Sequence, residues 1–172
     1  MSTGQLRIAS PTLRGLRDLG LGAWVLPLAA GCAQPRGLAG WVDWRLGGQL
    51  ARVLREGRFL GEEGERLLMP GSPGVGAERV FVVGLGASSG PSLRLDALME
   101  VVEAGATRIG LAPLPGRSAL NEALDWLSAL EGLPGLFEEV WLMNTDGSLA
   151  EGGPELEEGA ERAGLELEGV RA

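Results

Sequence analysis

Few residues in this sequence have types and spacing that could do chemistry. Val83-Gly84-Leu85-Gly86-Ala87-Ser88-Ser89-Gly90 runs from an apolar segment into glycines, the arrangement by which backbone amides cradle phosphates. A dinucleotide site also wants an acidic residue at the end of the next strand for the ribose, and Arg108 to Ala112 offers none. Pro91 and Ser92 are expected to delay the helix, so a pyrophosphate would not meet its end directly. A tight structural turn is therefore the reading, since glycines at strand ends usually serve sterics, with phosphate binding as the alternative. Asn144-Thr145-Asp146 places a carboxylate after another apolar run, where α/β proteins hold ligands. The same triplet reads as an Asx turn, whose side chain bonds its own backbone. Asp43, close to Gly40, Trp41 and Trp44, reads as a solvated helix carboxylate. Glu62-Glu63 and Glu157-Glu158 point in different directions and solvate a surface. No metal-ligand cluster emerges, and no cofactor is implied.

Residue types exclude more than they permit. The chain has no histidine, tyrosine or lysine, so its 15 basic residues are all arginine. That removes the commonest general base and metal ligand, the phenolic acids and Schiff-base chemistry. Cys32 is the single cysteine. It has no internal disulfide partner and no histidine to activate it, which suits a reducing compartment. With 23 acidic residues and a formal charge of −8, nucleic acid is an unfavourable partner, because binding it requires clustered basic residues. No apolar run reaches the length of a membrane span, and the N-terminus lacks a basic start followed by a long apolar stretch. The expectation is a soluble, cytoplasmic protein with no membrane partner. Its 172 residues fit one domain over 1–172.

Elements that would position these residues alternate along the chain. Five apolar runs read as core strands: Leu6 to Ala9, Ala23 to Leu28 (limited by Pro27), Arg79 to Val83, Arg108 to Leu111 and Val140 to Met143. Glu65 to Met69 and Leu165 to Val170 could add edge strands. Helical spacing joins Leu38, Val42, Leu46, Leu50, Val53 and Leu54 into one helix from Leu38 to Glu56, stopped by Gly57. Leu93 to Ala104 is another helix. Ser118 to Leu130 follows with Ser118 as N-cap, and Glu155 to Ala163 is a weaker helix. The alternation predicts an α/β, three-layer arrangement. Trp44 falls opposite the Leu38/Val42/Leu46/Leu50 stripe, with Ala51 on the same outer face. An aromatic placed there suggests either a contact surface or local burial.

Leu13 to Leu28, Leu38 to Leu50, Arg58-Phe59-Leu60-Gly61-Glu62-Glu63-Gly64-Glu65 and Arg79-Val80-Phe81-Val82-Val83-Gly84-Leu85-Gly86, in that order, resemble the N-terminal domain of M17 leucyl aminopeptidases. Gly110 to Arg117 before a long helix, then Glu138 to Met143, is similar to the strand, phosphate loop, helix and final strand of macro domains, to which that domain is related. The resemblance implies a three-layer αβα macro-domain-like fold with a mixed, largely parallel sheet. In macro domains glycine-rich loops hold ADP-ribose, and the corresponding places are Gly31 to Gly40 and Pro113 to Gly116. The sequence departs from that pattern: Ala29-Ala30-Gly31-Cys32 carries no asparagine, Gly37 to Gly40 holds no glycine triplet, and the later Gly-x-Gly is Leu-Pro-Gly.

The peptidase family keeps its metals, lysines and catalytic arginine in a C-terminal domain, and this sequence carries none of that pattern. Asn144-Thr145-Asp146 is similar to part of the family's metal motif, but its spacing and partners differ. The resemblance therefore implies a stand-alone, non-catalytic module for protein interaction, assembly or regulation. In the full-length family this domain packs around a hexameric catalytic core, so the partner is another protein or further copies of the chain. Trp41, Trp44 and Arg45 are the candidate contact face. The alternative is a macro-type module for ADP-ribose or another nucleotide, using Gly37, Gly40, Gly84, Gly86, Gly116 and Arg117.

Overall fold

In the computed structural model, residues 3–12, 14–87 and 90–168 are described. They form seven strands: β1 (Gly4–Ala9), β2 (Leu21–Leu28), β3 (Arg66–Ser72), β4 (Ala77–Gly84), β5 (Arg108–Leu111), β6 (Glu139–Met143) and β7 (Leu165–Leu167). All lie in one sheet of order β3-β4-β2-β5-β6-β1-β7. Only the β3–β4 pair is antiparallel. Both expected edge strands are present. Leu13, Ser88, Ser89 and the end of the expected terminal strand at Val170 lie outside the described residues.

The strand expected to be limited by Pro27 runs through it. β2 keeps its register with β4 from Leu21↔Ala77 to Leu28↔Gly84, whereas β5 pairs only with Ala23 to Val25. The carbonyl of Val25 accepts the Ala112 N–H beyond the end of β5. Alternation turns the backbone of Pro27 to that same side, past the last β5 residue, so its missing donor leaves no ladder bond unmade.

The helices are α1 (Gly37–Arg45), α2 (Gln49–Arg55), α3 (Pro91–Glu103), α4 (Ala119–Leu130) and α5 (Gly153–Arg162). One core joins α3, α4 and α5 to a sheet face through Leu98, Val101, Trp126, Leu127 and Leu156 against Val25, Ile109, Val140 and Leu142. On the other face, Leu38, Val42, Leu50 and Leu54 of α1 and α2 pack on Trp24, Leu26, Val80 and Val82. Two layers of helix thus cover a sheet whose central strands are apolar on both sides.

The helix expected from Leu38 to Glu56 is two helices. Gly47 and Gly48 sit at φ of 70° and 76°, a left-handed backbone that glycine adopts without a Cβ penalty. The turn also corrects the reading of Asp43 as solvated. Its side chain is buried, and Oδ1 accepts the N–H groups of Leu50 at 2.7 Å and Ala51 at 3.1 Å. A carboxylate on the preceding helix thereby does for α2 what an N-cap side chain does, a service its own N-cap residue, Gly48, cannot give. The break also separates Trp44 from Ala51. Pro91, expected to delay its helix, occupies the first turn of α3 instead, where proline has no hydrogen bond to lose.

Candidate functional site

The two loops that the macro-like pattern singles out do meet. A cleft of about 530 Å³ opens beyond the C-terminal ends of β2 and β5, between the Ala29–Arg36 loop and Leu114-Pro115, where open parallel sheets hold ligands. Its floor is apolar, with Leu28, Ala29 and Leu114, and Arg36 and Arg55 stand exposed at its rim. Neither arginine has an ion-pair partner among the described residues. These two were missed as site residues. The available signal was an arginine just before α1 and another on α2, the two helices that share a sheet face. Cys32 is also in the wall, half-buried, its thiol donating to the Gln34 carbonyl at 3.2 Å.

The predicted ligand residues divide around this cleft. Gly37 lies at its edge, opposite Pro115. Gly40 is inside α1, packed on the Pro35 carbonyl, and Gly116 is exposed in its loop. Gly84 and Gly86 support the cleft from behind. The carbonyl of Gly86 accepts the Ala30 N–H, and Gly31 donates to the Leu60 carbonyl. The two sequence motifs that carry the family resemblance thus touch each other. Gly84 donates to Glu65 and Gly86 to Gly61, while Glu65 Oε2 closes the turn by accepting from Leu60 at 2.8 Å and Glu62 at 2.9 Å. A Cβ on Gly84 would overlap the Glu62 carbonyl, and one on Gly61 the Ala29 carbonyl. Sterics account for these glycines.

Arg117 turns away from the cleft. Its Nη1 contacts Glu122 at 2.6 Å and Asp125 at 2.8 Å. Burial works against its charge, but the bond to Asp125 and the Glu122 carboxylate raise its pKa above the ordinary value. Glu122 also accepts from the fully buried Arg94, at 2.8 and 3.0 Å, and Arg94 lies over the Trp126 ring. A charge-neutral cluster thus ties α3 to α4.

The N-terminus of α4, the helix that follows the macro-like loop, already has its acceptors. Asp146 Oδ2 takes the Ala119 N–H, Ser148 Oγ that of Leu120, and Ser118 Oγ that of Asn121. The cap expected at Ser118 is present. So is the Asx turn: Asp146 Oδ1 accepts from the Ser148 N–H and hydroxyl. The Ser148 hydroxyl first, then the Ser148 and Ala119 amides, hold the Asp146 carboxyl below its ordinary pKa. An internal anion occupies the place at which a helix end attracts phosphate.

On the other face, Trp44 is 66% exposed. The Arg45 guanidinium lies 5.7 Å from the Trp41 ring centroid and 4.9 Å from that of Trp44, so the three expected contact residues form one stack held by cation–π attraction. Residues 36–58 hold five arginines against Asp43 and Glu56, whereas α3, α4 and α5 together carry nine acids and two arginines. The two sides of the sheet therefore differ in sign.

Solved structures share the architecture. A tomato leucine aminopeptidase mutant superposes with a TM-score of 0.63 at 16% identity, over 92% of this chain and 36% of that one. A Trypanosoma brucei macrodomain gives 0.59 at 20%, over 88% and 66%. The macro domain of ganglioside induced differentiation associated protein 2 gives 0.62 at 13%, over 90% and 83%. These define the class: a macrodomain-like α/β fold with a mixed, mostly parallel sheet. In sequence, residues 30–113 match the N-terminal domain of the cytosol aminopeptidase family. A probable cytosol aminopeptidase of Nitrosococcus oceani is 31% identical over 91 residues, 49% of this chain and 18% of that protein. The resemblance read from the Phe-x-Gly-x-x-Gly-Glu and Val-Gly-Leu-Gly segments is borne out, and the match is to the N-terminal domain. The chain spans about a fifth of the curated relative's length and about a third of the tomato enzyme's. No helix among the described residues is long and apolar enough to cross a membrane.

Proposed function

We propose that this chain is a non-catalytic interaction or assembly module of the aminopeptidase N-terminal type, working through Trp41, Trp44 and Arg45. The observation that carries this reading is the 66% exposure of Trp44, braced by a guanidinium. Tryptophan and arginine are the side chains that most often dominate the energy of protein contacts. The occupied N-terminus of α4 supports the same reading, because an anionic ligand there would displace Asp146. Crosslinking from position 44 recovers a protein partner, and Trp44→Glu loses it. No partner, together with a Trp44→Glu variant that behaves as wild type, overturns the proposal. Leucine p-nitroanilide with added manganese or zinc is expected to be left intact.

The cleft favours a second reading, an anionic ligand such as ADP-ribose or another nucleotide held by Arg36 and Arg55. In that case phosphate meets the arginine rim and the apolar floor receives the remainder. Thermal-shift titration decides it. A ligand at about 100 times its dissociation constant adds about 2.7 kcal/mol, several degrees for a chain of this size. The absence of any shift at millimolar ADP-ribose ends this second reading.

A further inference from the structure

We infer that the Trp44–Arg45 edge of α1 docks on the α3 face of a second copy of this chain, head to tail. The inference rests on the interaction-module reading and names its partner. On α3, Asp96, Met99 and Glu103 are spaced i, i+3 and i+7 along one exposed stripe. Met99 is 45% exposed, and neither acid has an ion-pair partner among the described residues. An apolar thioether flanked by these two carboxylates is the chemical complement of an indole flanked by the Arg45 guanidinium, which has no carboxylate partner among the described residues. Sulfur packs favourably on the ring, and the carboxylates face Arg45. The wider fields agree, with the arginine surplus of residues 36–58 opposed to the acidic α3, α4 and α5. An unlike partner would need an acidic face of its own, whereas this chain carries one.

The two patches lie on helices that cover opposite sides of the sheet. Each copy joined this way leaves one patch free at either end, so association proceeds to a ring or an open chain rather than stopping at a symmetric pair. It is also electrostatic, and salt weakens it.

Sedimentation velocity on the purified full chain from 1 to 200 µM, in 20 mM and 500 mM NaCl, tests this. Self-association beyond a dimer is expected at low salt, with a dissociation constant about tenfold weaker at high salt. Arg45→Glu and, separately, Asp96→Arg with Glu103→Arg are each expected to give monomers. All three changes in one chain restore association by exchanging the signs. Thermal melts keep folding apart from docking, since Asp96 and Glu103 are exposed. A wild type that stays monomeric at 200 µM in 20 mM NaCl overturns the inference. So does association indifferent to the α3 changes, or a triple variant that remains monomeric. If the wild type is monomeric yet crosslinking from position 44 still recovers a different protein, the second-copy inference falls and the module reading stands.

Discussion

Asp43→Ala removes an acceptor that α2 cannot replace from its own sequence. The Leu50 N–H is buried and bonded to Oδ1 at 2.7 Å; leaving such a donor without a partner costs about 1–3 kcal/mol. The Ala51 N–H, half-buried at 3.1 Å, can turn to water, so its loss costs about 0.5–1.5 kcal/mol. Together the substitution destabilises the chain by about 3 kcal/mol, which for a protein of this length is a fall in Tm of about 6–12 °C. Asp43→Asn keeps an oxygen acceptor but not its charge and should lose roughly half as much. Differential scanning calorimetry on the three proteins reads both values. Backbone hydrogen exchange at Leu50 and Ala51 locates the damage, and faster exchange is expected there than in α4. If Asp43→Ala melts within a degree of wild type, the carboxylate is not what holds the second helix, and the two-helix turn stands on the glycines alone.

Other perturbations follow from the packing. Gly110→Ala puts a methyl into the Trp24 ring and against Leu21, while Trp24 is anchored through Nε1 to the Val75 carbonyl at 2.7 Å; it should cost about 1–3 kcal/mol by chemical denaturation. Glu122→Ala removes the carboxylate closest to the fully buried Arg94 and is expected to cost about 3 kcal/mol, with Asp125 as partial relief. Asp146 is more acidic when folded than in the open chain, so its contribution is present above the ordinary carboxylate range and lost as pH falls through its lowered folded value. The gap between thermal melts of wild type and Asp146→Asn, followed from about pH 6 to 2.5, should therefore begin to close only below about pH 4.

Strands and most helices were legible because their apolar residues are continuous or periodic and their ends carry glycine or proline. Ser118 was legible as a cap because its oxygen serves an amide three residues on. The division of the Leu38–Glu56 segment was not, since Leu38, Val42, Leu46 and Leu50 keep helical spacing across the break and all face the same core. The Gly47-Gly48 pair was the signal, and it lost to the periodicity. Asp43 was hidden because its partners are seven and eight residues ahead and come within reach only once that turn forms. Arg36 and Arg55 belong to the cleft through a relation between a loop and a helix that no local pattern encodes. The glycines of the Val-Gly-Leu-Gly segment stood out for phosphate chemistry, whereas the surface they meet is the chain's own Gly61–Glu65 turn.

The two borders of the sheet limit how this chain can meet another. One border is β3, which includes Pro70, a residue with no amide hydrogen to offer a newcomer. The other is β7, three residues long among the described residues, a short edge for an added strand. Growth of the sheet across molecules is disfavoured at both borders, since one lacks a donor at Pro70 and the other offers only a short edge. Contacts with other molecules are left to the helical faces, where side chains rather than backbone choose the partner.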